Sequence, residues 1–367
     1  MARTQALGAG LSPMPYTGSA QSPMHDTGSS LSPMDSPRAA TSGTLATALR
    51  RTRSALVRGG DRAGGLLRLD RLGSGGAGLN GMWRWEPAVR VDASHASVLS
   101  RLVFDTGAWH HLDGPDAAGC WKLIPLVRLT PPGHPVFVDQ LGMVSNFAEE
   151  RDDRLPEILT QAGGLWPFWN ALTDIDAVTA PFTVQWIEVA LRMAHSVAMR
   201  LKHELAVPRP ADLSPSIEPM IPTPGHGSFP SGHATVGFLF TRLMEHRLGL
   251  SAGASIPIMA QRLAHRVAEN RVVAGVHFPI DSVAGRILGE TLADYFVARS
   301  SGGNFSRDAS FDGSVAGALQ SLVDEPASLA GQTGCRVGSA VPAGPPDPLL
   351  SWLWQRSGEE LDGLGLI

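Results

Sequence analysis

Between Pro181 and Glu204 polar and apolar positions separate at helical spacing. Gln185, Glu188, Arg192, Ser196, Arg200 and His203 recur at three- and four-residue steps, while Phe182, Ile187, Leu191, Ala194, Ala198 and Leu201 fill the other side. This period predicts an amphipathic helix. Lys202 falls about 100° from the polar stripe, on the border of the apolar face, where an ammonium needs a partner or must snorkel to water. In "IPIMAQRLAHRVAENRVVAG" a second helix is predicted, with Arg262, His265, Arg266 and Glu269 on one stripe. Arg271 points about 180° from Arg262, in line with Ala260, Ala264 and Val267, so it faces the core. A guanidinium keeps its proton, so its burial calls for an opposing anion; taken by itself this helix favours a protein carboxylate over a bound ligand. A third run, "HATVGFLFTRLMEHRLG", suits a buried helix through Val236, Phe238, Phe240, Leu243 and Met244, which puts Ser231 and Gly232 at or beside its N-terminus. Upstream, "KLIPLVRLTPP" offers at most a short strand, and globular character begins near Met82 with Trp83, Trp85, Trp109 and Trp121.

The first 72 residues follow another pattern. Ser-Pro-Met recurs at Ser12, Ser22 and Ser32, a period too short and too polar to stack, so disorder is expected. An arginine-rich stretch follows: residues 1–72 hold nine basic against four acidic residues and the rest 21 against 30, an asymmetry the net charge of −4 conceals. No aromatics interleave these arginines, so a solvated linker is expected rather than a nucleic-acid partner. Gly73 to Gly78 form a GxGxxG with neither strand before nor helix after, which reads as linker.

With 367 residues, 43% of them hydrophobic, the chain can bury one large core or two modest ones. Two cysteines, Cys120 and Cys335, supply no zinc quartet and no disulfide framework. Neither an apolar leader nor an uncharged run of about eighteen residues is seen, so a soluble, cytoplasmic protein without a spanning segment is expected.

The candidate chemistry centres on "GHGSFPSGHAT". A helix N-terminus with free backbone N–H groups binds anions, Gly232 admits close approach, and Ser231 adds a hydroxyl, unless it is an ordinary cap. His233 in that first turn has its pKa lowered by the dipole and raised by a bound anion, which suits proton exchange with an oxyanion. Three pieces stand in order: "KHELAVPRP" with Lys202 and Arg209, "PSGH" with Ser231, Gly232 and His233, and "RVVAGVHFPID" with Arg271, His277 and Asp281. They resemble, residue for residue, the K-x6-R-P, P-S-G-H and R-x5-H-x3-D signature of the type 2 phosphatidic acid phosphatase (PAP2) and vanadium-dependent haloperoxidase superfamily. Asn270 departs from it, where many phosphatases carry Ser.

The resemblance is close over residues 180 to 300, and a looser likeness to soluble bacterial haloperoxidase-like proteins reaches back to "FVDQLGMVSNFAEERDDRLPEILTQ". It implies an all-α helical bundle; with the disordered repeat and basic linker at 1–72, the expected organisation is a helical extension at 73–180, a catalytic core at 181–300 and a partly irregular C-terminal segment at 301–367. It also implies that Lys202, Arg209 and Arg271 neutralise a tetrahedral oxyanion, that Ser231 and Gly232 donate to it, that His233 is the acid/base, and that His277, oriented by Asp281, bonds the central atom, vanadium included. The first expectation is a haloperoxidase holding vanadate and using peroxide to oxidise halide, with His226 as a tuning residue where the resembling bromide-oxidising enzymes also carry a histidine. The alternatives are a soluble acid phosphatase that acts on a phosphate ester without a cofactor, and an inactive anion-binding scaffold. Oligomeric state is not readable.

Overall fold

Proline occupies the first turn of α1 (Pro87–Leu99), α2 (His134–Asn146), α4 (Trp166–Thr173), α5 (Pro181–Leu205), α9 (Pro279–Ser301) and α10 (Pro348–Gly363), where its missing N–H costs nothing. The remaining helices are α3 (Arg151–Gly163), the single turn α6 (Pro210–Leu213), α7 (Gly232–Arg247) and α8 (Ser255–Val273). The computed structural model describes residues 79–115, 119–249, 255–315 and 334–367. The Ser-Pro-Met repeats, the basic stretch and the Gly73–Gly78 run lie outside these.

The expected all-α class is overturned. Five strands form a mixed sheet in the order β1 (Leu102–Asp105), β2 (Ala108–Pro115), β3 (Trp121–Thr130), β5 (Ala309–Asp312), β6 (Cys335–Arg336), with β3 and β5 parallel and the other pairs antiparallel. A second antiparallel pair joins β4 (Asn304–Ser306) to β7 (Ala340–Pro342). "KLIPLVRLTPP" therefore belongs to a ten-residue strand, not a short one. Pro125 pairs with His110 beside a register shift between Trp109 and His110, the kind of irregularity that lets proline stay in a sheet. The segments expected as a helical extension and an irregular tail thus contribute strands to one sheet.

The core sits around α5, α7 and α9. Trp186, Phe238, Phe240, Tyr295 and Phe296 are buried, and Trp109 donates from Nε1 to the carbonyl of Val197, tying the sheet to α5. The N-terminal part of the polar stripe of α5 is covered by α1: Arg90 of α1 donates to Gln185 at 2.7 Å, and Arg192 pairs with Asp92 of α1 and with Glu188. Helix α10 holds the first turn of α5, where the Glu360 carboxylate accepts from the backbone N–H groups of Phe182 and Thr183, both at 2.8 Å. Helix α3 lies across α8, pairing Arg154 with Glu269 and Glu157 with Arg266.

Helices α7 and α9 cross almost backbone to backbone. A Cβ built on Gly285 would lie 2.6 Å from the carbonyl oxygen of Ser231 and 2.9 Å from the Ala234 Cβ. This crossing sets the start of α7 against the start of α9, and the candidate site is built there.

Candidate active site

Lys202 ends α5 buried, not snorkelling: its Nζ donates to the carbonyls of Gly227 and Ser228 at 2.9 and 2.7 Å. Those carbonyls belong to the loop that leads into α7, so the ammonium clamps that loop to the helix. Burial pushes Lys202 well below the usual ammonium value, and Arg209 adds to the shift. Arg209 precedes α6 and is buried, its Nη1 donating to the Val276 carbonyl at 2.6 Å and its Nε to the His226 carbonyl at 3.1 Å. The same Nη1 lies 3.5 Å from His277 Nε2, and Nη2 lies 3.2 Å from His226 Nδ1.

Arg271 faces inward as its position on the helix requires, but the carboxylate favoured for it is not its partner. Its Nη2 donates to the Ile158 carbonyl at 3.2 Å and to Gln161 Oε1 at 3.1 Å, both on α3. Among the described residues its Nε and Nη1 are buried without a protein acceptor. Burial lowers Arg209 and Arg271 to about 10, which leaves both charged at neutral pH.

Ser231 is the N-cap of α7 and its Oγ accepts from the Ala234 N–H. Its own N–H donates to the Asp281 carbonyl at 2.8 Å, which joins the two helix starts. His233 is buried, with Nε2 3.2 Å from the Gln161 carbonyl. A carbonyl can only accept, so the proton of neutral His233 sits on Nε2 and Nδ1 is left to titrate. Burial holds His233 well below the ordinary imidazole value, and Arg271 pushes it further.

His277 lies in the turn between α8 and α9, with Nδ1 2.9 Å from Asp281 Oδ2. The same oxygen accepts from the Phe278 N–H at 3.0 Å, so the carboxylate caps α9 while it orients the ring. Burial raises Asp281 to about 6 against the opposing pull of that N–H and of Lys202 and Arg209. His277 is held well below the usual histidine value by burial, then by Arg209 and Lys202.

Seven of the nine expected site residues line one cavity of about 380 Å³: Lys202, Arg209, His226, Gly232, His233, Arg271 and His277. Ser231 and Asp281 stand immediately behind it, as cap and as ring partner. Three cations thus meet one carboxylate around the cavity, an arrangement that favours an anion. The remaining wall includes Leu159, Met199, Ile221, Pro222 and Val276, and gives the cavity an apolar mouth. His195, which also lines it, was not singled out from sequence, nor was Gln161. A glutamine on a helix with "DDR" and "PE" before it reads as surface, and no local signal marks it as buried.

The PAP2 superfamily pattern matches residues 184–301, which contain all three motifs. The decaprenylphosphoryl-5-phosphoribose phosphatase of Mycobacterium tuberculosis (strain ATCC 25618 / H37Rv) is 31% identical over 146 residues, covering 37% of this chain and 77% of the relative. This chain belongs to the PAP2 superfamily. The enzyme of the same name from Mycolicibacterium smegmatis (strain ATCC 700084 / mc(2)155) is 33% identical over 140 residues, 35% of this chain and 72% of that one. Two solved structures are more distantly similar to this PAP2 protein. One is a transmembrane PAP2 type phosphatidylglycerolphosphate phosphatase from Bacillus subtilis, with TM-score 0.36, 19% identity and coverage of 45% of this chain and 86% of that one. The other is a bacterial vanadium-dependent iodoperoxidase, with TM-score 0.37, 16% identity and coverage of 56% and 64%. Among the described residues of this PAP2 enzyme, no helix is long and apolar enough to cross a membrane.

Proposed function

We propose that this PAP2 enzyme is a phosphatase that hydrolyses a phosphate monoester through a phosphohistidine on His277. One observation carries the reading: Asp281 occupies Nδ1 of His277, which leaves Nε2, facing Arg209, as the nitrogen with a lone pair for phosphorus. Lys202, Arg209 and Arg271 would spread the charge of the phosphoryl oxygens, and the N–H groups at the start of α7 would add to them. In the first step the His277 nitrogen bonds phosphorus while the ester P–O bond breaks, and His233 gives its proton to the departing alkoxide. In the second, water attacks phosphorus, His233 takes its proton, and the P–N bond breaks to release orthophosphate. The depressed pKa of His233 suits the second step, and an anion in the cavity raises it for the first.

The apolar residues of the cavity wall suit an ester that carries an apolar group, and the mycobacterial relatives, named for a phosphoribose linked to a decaprenylphosphoryl group, support that substrate class. A second reading, the vanadium haloperoxidase, draws on His226, whose Nδ1 faces the Arg209 guanidinium at the cavity. The cradle's donor set suits vanadate as it suits phosphate: Lys202, Arg209, Arg271, Ser231 and Gly232 would hold the oxygens and His277 the metal. Bound vanadate would supply peroxide activation. Parallel assays separate the readings: hydrolysis of p-nitrophenyl phosphate and of a prenyl phosphate, and bromide or iodide oxidation by peroxide, each with and without orthovanadate. A phosphatase hydrolyses the esters and is inhibited by vanadate. Halide oxidation that requires vanadate, with no ester hydrolysis, overturns the proposal.

A further inference from the structure

Arg271 of α8 and His233 of α7 meet at one residue of a third helix, Gln161 of α3. Its side-chain Oε1 accepts from Arg271 Nη2 at 3.1 Å and from Asn270 Nδ2 at 3.0 Å, while its backbone carbonyl lies 3.2 Å from His233 Nε2. Gln161 is fully buried. Arginine can only donate, so the amide oxygen must face it and the orientation of the side chain is settled. Asn270 is fixed in the same way: its Oδ1 accepts from Arg154 Nη1 at 3.2 Å, which turns Nδ2 toward Gln161 and Glu157. The other amide atom, Gln161 Nε2, is buried without a protein partner among the described residues. A side chain kept only for packing would not carry that unpaired donor.

We propose that Gln161 is a positioning residue of the active site, whose amide oxygen aims Arg271 at the bound oxyanion while its backbone carbonyl fixes the tautomer of His233. The two arms are separable. The side-chain arm acts on Arg271: with Nη2 held by Oε1 and the Ile158 carbonyl, Nε and Nη1 are the donors left for phosphate. The main-chain arm survives any substitution at 161 that leaves α3 in place. The departure at Asn270 then has a role, since Asn reaches Gln161 and Arg154 at once.

The proposal rests on the phosphatase reading, and the test keeps their failures apart by measuring binding as well as turnover. Calorimetric titration with inorganic phosphate is run on the full chain and on Gln161→Leu and Gln161→Glu, with a melting curve for each. Loss of the acceptor in Gln161→Leu is expected to weaken phosphate about 10- to 100-fold, the usual effect of removing such a supporting group. Gln161→Glu keeps shape and acceptor but pairs its charge with Arg271, and is expected to bind phosphate more weakly still. A merely structural role predicts the reverse order, with the near-isosteric Glu the milder change.

The second readout is the split between KM and kcat in Gln161→Leu. The carbonyl of residue 161 still holds His233 Nε2 there, so KM should rise by more than kcat falls. Loosening of α3 would shift both. Should Leu not give a cooperative melt, Gln161→Met stands in, and loss of the melt in both would make the residue structural and overturn the proposal. Unchanged phosphate affinity in the variants, with normal wild-type binding, overturns it too. A wild-type chain that binds neither phosphate nor orthovanadate overturns the phosphatase reading and this proposal with it.

Discussion

Gly285 supports Ser231 by having no side chain: a Cβ at 285 would meet the Ser231 carbonyl oxygen at 2.6 Å. Both are rigid, Ser231 as the cap of α7 and Gly285 in the second turn of α9, so the collision must push one helix off the other. Gly285→Ala is expected to cost about 1–3 kcal/mol of stability, the usual range for overpacking. It also moves His233 relative to His277, and a shift near 1 Å at a reacting group costs roughly a hundredfold in rate. Urea denaturation with kcat/KM checks both, and a variant with unchanged turnover would show that the crossing does not set the site.

Arg271 sets stability against function. Among the described residues its Nε and Nη1 are buried without a protein acceptor, so without a bound anion the charge is uncompensated. Arg271→Met is expected to leave stability unchanged or raise it by about 1–2 kcal/mol in phosphate-free buffer. Phosphate binding should weaken by about 2–5 kcal/mol, the range for losing one partner of a buried charge pair. Thermal melts with and without phosphate read both: the wild type gains stability from phosphate and the variant does not.

The two histidines should separate by role. In the proposed mechanism Asp281 prepares His277 as nucleophile, so His277→Ala is expected to abolish turnover and any acid-labile phosphoenzyme. In the same mechanism His233, whose Nε2 is held by the Gln161 carbonyl, moves protons only. His233→Ala should still bind phosphate, with turnover slowed about a hundredfold to ten-thousandfold. Rapid quench with labelled ester distinguishes them, and a phosphoenzyme in His277→Ala would defeat the assignment.

The site was far more legible in the sequence than the fold. Helical phase alone turned Arg271 inward and placed Lys202 at the edge of the apolar face, because a 3.6-residue period is a local property. The cap at Ser231 was local in the same sense. The sheet was not: β3 pairs in parallel with β5, with Val127 opposite Ala309, and pairing over that distance leaves no periodic trace. Nor could the stripe of α5 reveal that α1 covers it, since Gln185 and Glu188 look like surface until Arg90 and Arg192 are placed beside them. Gln161 was missed for the same reason. Its importance comes from two other helices.

Acid should destabilise the fold, and phosphate should blunt the effect. Burial lowers His111 and His265 to about 4, and holds His233 and His277 well below the ordinary value. Each takes up a proton more readily in the unfolded chain, so stability is full above about pH 6.5 and falls as pH drops toward the folded values. Asp281 works the other way. Its folded pKa, raised to about 6, gives stability that is present below the unfolded value and lost as pH rises through 6, and burial raises Glu188 and Glu290 in the same sense; these three carboxyls oppose six histidines, since burial also lowers His95 and His226. Stability is therefore expected to fall by several kcal/mol between about pH 7 and about pH 5. Saturating phosphate places an anion beside His233 and raises its pKa toward the unfolded value, so the fall should be smaller with phosphate than without. Urea midpoints across that pH range, with and without phosphate, test this. An acid loss identical in both series would mean that the oxyanion does not bind beside His233.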